Sequence, residues 1–212
     1  MAKNYQPPFT TAPASVDLIS KISESLECLA ELSETQIRIQ RIRSIQGSLA
    51  IEGNTLSEAQ ITAILEGKRV LAPPRELQEA RNAIKAYEQF EYWLPTDEQH
   101  LLQAHRLLMS ALVDDAGQYR SGNVGVMNGE VVAHMAPPSS RVPVLMDDLI
   151  SWLASTDQHP LIVSSVFHYE FEFIHPFSDG NGRLGRLWQS LIRVLCQHDK
   201  LGSSDRQVMQ CY

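Results

Sequence analysis

The sequence predicts an all-α fold, a single bundle of helices interrupted by one β-hairpin. Apolar residues recur three and four positions apart in eight segments, which is the spacing that gives a helix one apolar face. The dipeptide Asn128-Gly129 stands between two short valine-rich runs, and Asn-Gly is a strong signal for a tight hairpin turn. Of the 212 residues, 43% are apolar and 20% charged, a composition typical of one globular domain.

The helices are predicted, in chain order, over residues 14–32, 33–52, 58–65, 75–93, 97–112, 143–155, 160–174 and 182–198. Ser57 and Thr96 stand where N-cap side chains are favoured, and Gly53 and Gly67 follow helix ends, where glycine is common. The seventh helix is apolar on nearly all sides, so we expect it at the centre of the domain. Residues 1–13 contain three prolines and predict an extended arm, and residues 199–212 a polar tail. Residues 14–198 then form a single domain.

The composition limits the functions open to the chain. The formal charge of −7 argues against broad, sequence-independent nucleic-acid binding, which requires a basic surface. Cys28, Cys196 and Cys211 are widely spaced, and they predict free thiols, two in the core and one in the tail, in a reducing compartment. No apolar run reaches the ~18 residues of a membrane span, and the N-terminal residues do not resemble a signal peptide. These observations predict a cytoplasmic protein.

The segment from His175 to Arg186, HPFSDGNGRLGR, carries the strongest functional signal. It joins two predicted helices through a short loop in which Gly180 and Gly182 flank Asn181. Glycines allow backbone N–H groups to turn inward as a nest for an anion. The loop also precedes a helix, whose N-terminus favours negative charge. The segment therefore predicts an anion site.

Four side chains of this segment add the chemistry of phosphate transfer. Arg183 and Arg186 stand three positions apart in one helical turn, so both face the same side, and each carries a fork that grips phosphate bidentately. Asp179 supplies the hard oxygen that Mg²⁺ prefers, and His175 is a base that titrates near neutral pH. Together they predict a phosphoryl- or nucleotidyl-transfer site.

The same segment resembles the signature of the Fic family, H-P-F-x-[DE]-G-N-G-R-x-x-R, at every fixed position. The resemblance extends over about residues 14–198 and includes GQYRSGNV, which is similar to the family's flap region. It implies a helical bundle with one hairpin, and transfer of AMP from ATP to a Ser, Thr or Tyr hydroxyl of a target protein, with Mg²⁺ as cofactor. It also implies that the general base is His175, the Mg²⁺ ligand Asp179, and the ATP-binding residues Gly180, Asn181, Gly182, Arg183 and Arg186.

A second resemblance concerns the helix that ends at Gly53. Ser48-Leu-Ala-Ile-Glu52-Gly53 is similar to the family's inhibitory motif, [ST]-x-x-x-E-[GN], and Ser48 and Glu52 lie one turn apart on the same face. The resemblance implies that Glu52 pairs with Arg186 and denies it to the γ-phosphate of ATP. Residues 33–53 would then be an N-terminal inhibitory helix, and Glu52→Gly is expected to raise AMP transfer.

The resemblance also implies how a target protein binds. The hairpin around Gly125, Val126 and Met127 would be the flap, which takes up the target's backbone as an added strand. Several activities stay open: removal of AMP, auto-adenylylation, transfer of phosphate, UMP or phosphocholine, and a silent regulator that only binds nucleotide. A homo-oligomer is compatible with the sequence. In many members of the family, further helices past the signature helix help to bind adenine.

Overall fold

A computed structural model describes residues 5–27, 33–128 and 131–201, the side chains of 23–27, 126–128, 131–134 and 195–201 excepted. Some sequence-based predictions fall outside this part of the chain. They concern residues 1–4 of the N-terminal arm, residues 28–32 of the first helix, Gly129 of the hairpin turn, the tail from residue 202 onward, and the thiols of Cys28, Cys196 and Cys211.

Within these ranges the chain forms eight α-helices and one antiparallel pair of strands. The elements are α1 (Pro13–Glu27), α2 (Glu34–Ile51), α3 (Glu58–Leu65), α4 (Pro74–Glu88), α5 (Glu98–Leu108), β1 (Gly125–Asn128), β2 (Val131–Met135), α6 (Val142–Ser155), α7 (Pro160–Ile174) and α8 (Asn181–Leu201). The helical fold class expected from the sequence is confirmed. None of the helices described is long and apolar enough to cross a membrane.

The core is formed where α7 and α8 pack together, with α6 against α7 and α5 against α8; α4 packs on α5. Its largest fully buried side chains are Phe90, Phe167, Phe171, Phe177 and Trp188. These aromatic groups hold the end of α7 and the start of α8 in a fixed position, because the loop between the two helices contributes Phe177 to the core.

Two helices are less enclosed than an apolar pattern suggests. Helix α7 was expected at the centre on all sides, but Tyr169 is 68% exposed and Phe173 is 44% exposed, so one face reaches the surface. The apolar stripe of α1 also lies outside the core, with Val16 half exposed and Ile22 nearly so. The spacing of apolar residues therefore predicted that both helices form, but it did not predict how much of each helix is buried.

The predicted helix 75–93 is too long. Helix α4 ends at Glu88, and a single 3₁₀ turn follows at Phe90–Tyr92. Both Phe90 and Trp93 are buried, and the tighter turn lets each of these rings point into the core.

The predicted helix 97–112 with a Thr96 cap is wrong in its bounds. The N-cap of α5 is Asp97, whose Oδ1 accepts hydrogen bonds from the backbone N–H groups of Gln99 (2.8 Å) and His100 (3.3 Å). A carboxylate at that position satisfies two N–H groups at the helix start, where it also suits the helix dipole.

The other end of α5 comes earlier than predicted. The side-chain amide of Asn82, on α4, donates to the backbone carbonyls of Leu108 (3.0 Å) and Ser110 (2.8 Å). These bonds satisfy carbonyls that a continuing helix would have satisfied, so the chain can leave the helix at Met109 without losing them.

The hairpin follows α5 and precedes α6. Gly125 lies opposite Met135 and Asn128 opposite Val131, with an irregularity of the register between Val126 and Met127. In the described part of the chain, the sheet contains only these two strands, so the second edge of each strand is open.

The residues before α1 lie along α6 and α7. The Tyr5 hydroxyl donates a 2.8 Å hydrogen bond to Glu170 on α7, and the ring of Phe9 meets that of Trp152 on α6 edge to face, with centroids 6.3 Å apart. This part of the N-terminal segment therefore covers the side of the bundle formed by these two helices.

Candidate active site

The loop between α7 and α8 begins and ends in left-handed backbone conformations. Helix α7 stops at His175, whose φ is +50°, and Gly180 has a φ of +82° just before α8. Directly after Gly180, the Asn181 side chain accepts from the Phe177 N–H and donates to the Phe177 carbonyl, both at 2.9 Å. The sequence suggested that Asn181 contacts ATP. That assignment stays a prediction; in the structure the Asn181 amide holds the loop in shape, and the side chain is buried.

A buried histidine on α5 supports the same loop. His105 Nδ1 accepts a hydrogen bond from the Gly117 N–H (2.8 Å), so Nε2 carries the proton and donates to the Asp179 carbonyl (2.9 Å). The imidazole also stacks on the Phe177 ring at 3.7 Å. Burial lowers the pKa of His105, which favours the neutral form that this arrangement requires.

Arg183 lies in a closed ring of four charges. Its guanidinium contacts Asp179 (2.9 Å) and Glu79 (3.4 Å), and Arg75 contacts the same two carboxylates at 3.4 Å and 3.3 Å. The Arg183 side chain is only 5% exposed and Glu79 only 10%. Asp179 also accepts a 2.6 Å hydrogen bond from the Gly180 N–H. Donors expected to bind phosphate are therefore engaged by the protein's own carboxylates.

Glu79 also connects this ring to the segment that follows α2. Its second carboxylate oxygen accepts from the side-chain amide of Asn54 (2.9 Å), which is buried two residues after Glu52. Glu76, one turn earlier on α4, accepts from the N–H and the hydroxyl of Thr55 at 2.7 and 2.8 Å. The end of α2 is thus fixed to α4.

Arg186 is held by Ser48 on α2 and by Glu52, the residue directly after that helix. Its Nε donates to the Ser48 hydroxyl (3.0 Å), and Nη2 donates to the Ser48 carbonyl (3.0 Å) and to Glu52 Oε1 (2.7 Å). The carboxylate of Glu52 also lies over the first turn of α8, where a Cβ added to Gly182 would come within 2.5 Å of Oε1. Ser48 and Glu52 therefore both contact Arg186, the arginine that the family resemblance implies as the partner of Glu52.

His175 lies at the edge of the loop nearest α7. Its Nδ1 is 4.0 Å from Glu172 Oε2, one helical turn earlier. Burial raises the pKa of Glu172. Helix α8 approaches closely here, since a Cβ on Gly185 would meet Glu172 Oε1 at 2.6 Å and His168 Nδ1 at 2.9 Å. A small residue at position 185 therefore permits the close contact of α7 and α8 beside the histidine.

Several residues of this site have no signal in the sequence that would single them out. They are Glu79 and Arg75 on α4, His105 on α5, and Arg120, whose guanidinium donates to the His175 carbonyl at 2.7 Å. Arg120 lies in GQYRSGNV, a segment noticed only for its resemblance to a flap region.

The fold and the site define a class of helical domain, in which a loop of the HPFxDGNGR type joins two buried helices. Residues 95–192 match the Fic/DOC family. The crystal structure of a Fic family protein from Desulfovibrio desulfuricans G20 superposes with a TM-score of 0.84 at 48% identity, over 97% of this chain and 72% of that one. The chain therefore belongs to the Fic/DOC family, as its sequence had suggested.

Curated relatives carry the name protein adenylyltransferase Fic. The protein of that name from Aedes aegypti is 29% identical over 79% of this chain, and the one from Nematostella vectensis is 29% identical over 83%. The chain spans 36% and 44% of the lengths of these two relatives.

Proposed function

We propose that this chain is a protein adenylyltransferase that is held inactive by its own helix α2. The observation that carries the proposal is the 2.7 Å hydrogen bond between Arg186 and Glu52. Arg186 belongs to the family's signature, and Glu52 lies 134 positions away in the segment that resembles the family's inhibitory motif, so the contact joins the two motifs. The names of the curated relatives support AMP as the transferred group.

His175 is the general base of the proposed reaction. Its imidazole takes the proton of a Ser, Thr or Tyr hydroxyl on the target, whose oxygen forms a bond to the α-phosphorus of ATP. The bond between that phosphorus and the oxygen bridging to the β-phosphate breaks, and pyrophosphate leaves. A positioned base contributes roughly 10²–10⁴-fold to such a step. Arg183 and Arg186 stabilise the charge that develops on the leaving group.

Mg²⁺ fits this site as an ion that arrives with the nucleotide. The described residues contain no group of three or more His, Cys, Asp or Glu side chains able to hold a metal. Mg²⁺ is usually held by one or two carboxylates together with substrate phosphates, and Asp179, whose side chain is 39% exposed beside the loop, is such a carboxylate. When bound there, Mg²⁺ would offset phosphate charge, and Asp179 would hold it after leaving Arg183 and Arg75.

The proposed inhibition results from competition between Glu52 and the γ-phosphate of ATP for Arg186. A guanidinium that donates to Ser48 and Glu52 has few N–H groups left for the γ-phosphate, and the Glu52 carboxylate repels that phosphate. A hydrogen bond to a charged group contributes about 1.5–3 kcal/mol, and each 1.4 kcal/mol changes occupancy tenfold. Removing the carboxylate is therefore expected to restore productive ATP binding.

The hairpin is the surface we propose for the target. The open edge of β1, at Gly125, Val126 and Met127, offers unpaired backbone groups, and an extended segment of the target adds there as a third strand. Main-chain pairing of this kind recognises shape more than sequence.

The test uses Glu52→Gly protein with Mg²⁺ and ATP labelled at either the α- or the γ-phosphate. We expect label from α-labelled ATP on the chain itself or on proteins of a lysate, and none from γ-labelled ATP. Glu52→Gly/His175→Ala is the matched control and must abolish labelling. Label from the γ-phosphate would indicate a kinase, and bound ATP with no label from either would indicate a silent regulator.

Removal of AMP is a second candidate, because Glu52 lies directly over Gly182 in the loop that would bind phosphate. A carboxylate at that point can orient a water molecule toward a phosphodiester. The test incubates adenylylated protein, prepared with Glu52→Gly enzyme, with the unsubstituted chain. Release of AMP by the unsubstituted chain but not by Glu52→Gly would support it, and its absence from both would exclude it.

A further inference from the structure

Arg120 connects the hairpin to the residue that carries the proposed base. It is 3% exposed, and its guanidinium donates four hydrogen bonds to backbone carbonyls. Nε donates to His175 (2.7 Å), Nη1 to Gly122 (2.8 Å), and Nη2 to Ile174 (3.3 Å) and Pro137 (2.5 Å). One side chain thus contacts three separate segments of the chain.

The carbonyls that Arg120 contacts lie at the base of the hairpin and at the end of α7. Gly122 lies just before β1 and Pro137 just after β2, so the guanidinium binds both legs of the hairpin at its base. The backbone N–H of Arg120 also donates to the Pro176 carbonyl at 2.9 Å. His175 itself has a left-handed φ of +50°, which residues with a Cβ seldom adopt. Arg120 therefore holds both the hairpin and this unusual backbone.

A purely structural role, closing the base of the hairpin, is already filled by other residues. The Ser139 N–H donates to the Asn123 side chain (2.9 Å), and the Ser139 hydroxyl donates to the Ser121 carbonyl (2.7 Å). These bonds join the two legs without touching the loop that begins at His175. What Arg120 adds is the link between the hairpin and the catalytic loop, and a buried guanidinium with its fork of donors suits that task better than any other side chain.

We infer that Arg120 is a positioning residue. It fixes the distance between a target strand bound to β1 and the imidazole of His175. The inference rests on the proposed adenylyl transfer. It predicts a separation of two steps, because Arg120 contacts none of the three side chains proposed to hold the nucleotide, Asp179, Arg183 and Arg186. Loss of Arg120 should slow transfer to a hydroxyl and leave ATP binding unchanged.

The test compares Arg120→Lys and Ser139→Ala, each in a Glu52→Gly background, by self-labelling with α-labelled ATP over a range of ATP concentrations. Lysine keeps the charge but cannot reach four carbonyls. We expect kcat for self-labelling to fall roughly 10–100-fold with KM for ATP within about twofold, since a misplacement of about 1 Å costs about that much. Ser139→Ala loosens the hairpin only and should stay within about threefold of Glu52→Gly.

The results separate the two proposals. If Glu52→Gly labels neither itself nor the proteins of a lysate, the proposed function is wrong, whatever Arg120 does; if it labels only lysate proteins, the same variants are compared on those. If Glu52→Gly labels, the inference is overturned when Arg120→Lys keeps its rate, when KM rises in step with the loss of rate, or when Ser139→Ala loses as much as Arg120→Lys.

Amide hydrogen exchange of the unsubstituted protein tests the inference if Arg120→Lys does not fold. The Arg120 N–H bonds to Pro176 in the loop, and the Ala136 N–H bonds to Val124 across the hairpin base (3.2 Å). If Arg120 joins loop and hairpin into one unit, the two amides open together and their hydrogen-exchange protection agrees within roughly tenfold. A larger difference would overturn the link.

Discussion

Asp179 and Arg183, which the family resemblance assigns to Mg²⁺ and to ATP, are hydrogen-bonded to each other at 2.9 Å. Arg75 and Glu79 complete the ring around them. Ligand binding must therefore exchange protein–protein ion pairs for contacts with phosphate and metal. On the proposed function, we expect the affinity for MgATP to depend on how strongly these neighbours hold Asp179 and Arg183, in addition to the contacts of Arg186.

Arg75→Ala is expected to tighten MgATP binding. Its side chain is 65% exposed and contacts Asp179 at 3.4 Å, so removing it frees one carboxylate oxygen of Asp179, while the buried Glu79 keeps its contact with Arg183. Exposed ion pairs contribute about 0.2–1 kcal/mol, which corresponds to an increase in affinity of up to about fivefold. Calorimetric titration with MgATP in a Glu52→Gly background measures it, with the exposed Arg81→Ala as control. Weaker binding would mean that Arg75 contacts the nucleotide instead.

A graded series of substitutions measures the strength of the proposed inhibition by Glu52 and Ser48. Glu52→Gly removes the charged acceptor of Arg186, Glu52→Gln keeps an acceptor without charge, and Ser48→Ala removes a single neutral hydroxyl. All three contacts involve the charged guanidinium of Arg186, and hydrogen bonds to a charged group contribute about 1.5–3 kcal/mol. Only Glu52 brings an opposite charge, whereas Ser48 and a glutamine at position 52 offer a neutral oxygen, so the carboxylate lies at the upper end of this range. Self-labelling with α-labelled ATP should therefore rise in the order Ser48→Ala, Glu52→Gln, Glu52→Gly, the last by about 10–100-fold. Activation by Ser48→Ala above Glu52→Gln would contradict inhibition based on charge.

Two glycine substitutions separate packing from helix propensity. Gly185 lies where α8 approaches α7, and an added Cβ would come within 2.6 Å of Glu172, so Gly185→Ala is expected to lower the free energy of unfolding by about 1–3 kcal/mol. Gly47, in α2, has no atom within 4 Å of an added Cβ. Gly47→Ala should therefore raise the free energy of unfolding by about 0.5–1 kcal/mol. Urea denaturation of the two variants measures both, and effects of equal sign would refute the packing argument.

Local signals in the sequence predicted helices whose ends are determined locally. Helix α3 begins after Ser57, whose side chain and that of Gln60 form a capping box, and it ends before Gly67, as predicted. Helix α7 spans the predicted 160–174 because prolines bound it on both sides. The ends of α4 and α5 were mispredicted because tertiary contacts, through Phe90 and Asn82, decide where those helices stop.

The same division applies to the site. The segment 175–186 is continuous, so its residues could be found by inspection, and only the family resemblance connected it with Glu52. The contacts of Arg183 with Glu79, 104 positions away, and of Arg120 with His175, 55 positions away, have no sequence pattern. Contacts between buried polar residues of this kind depend on the tertiary structure. Patterns in a single sequence indicate only which residues are apolar and which favour turns or helix ends.

Acid is expected to destabilise the fold through His105. Burial lowers its pKa in the folded chain, and burial likewise lowers the pKa of His168. In the unfolded chain both titrate near pH 6.5, so as the pH falls below about 6.5 the unfolded state takes up protons first and stability is lost. Above that pH the contribution is complete. Each histidine adds at most ~1.4 kcal/mol per pH unit to the slope.

Urea denaturation between pH 7.5 and pH 5 measures this loss, a range chosen to stay above the ordinary pKa values of Asp and Glu, about 3.9 and 4.3. His105→Gln offers an acceptor to the Gly117 N–H but cannot take up a proton. It lowers stability at all pH values, because the stacking on Phe177 is lost, and it should reduce the slope against pH. An unchanged slope would show that the buried imidazole is not the group that acid titrates, and that the support of Asp179 by His105 survives acidification.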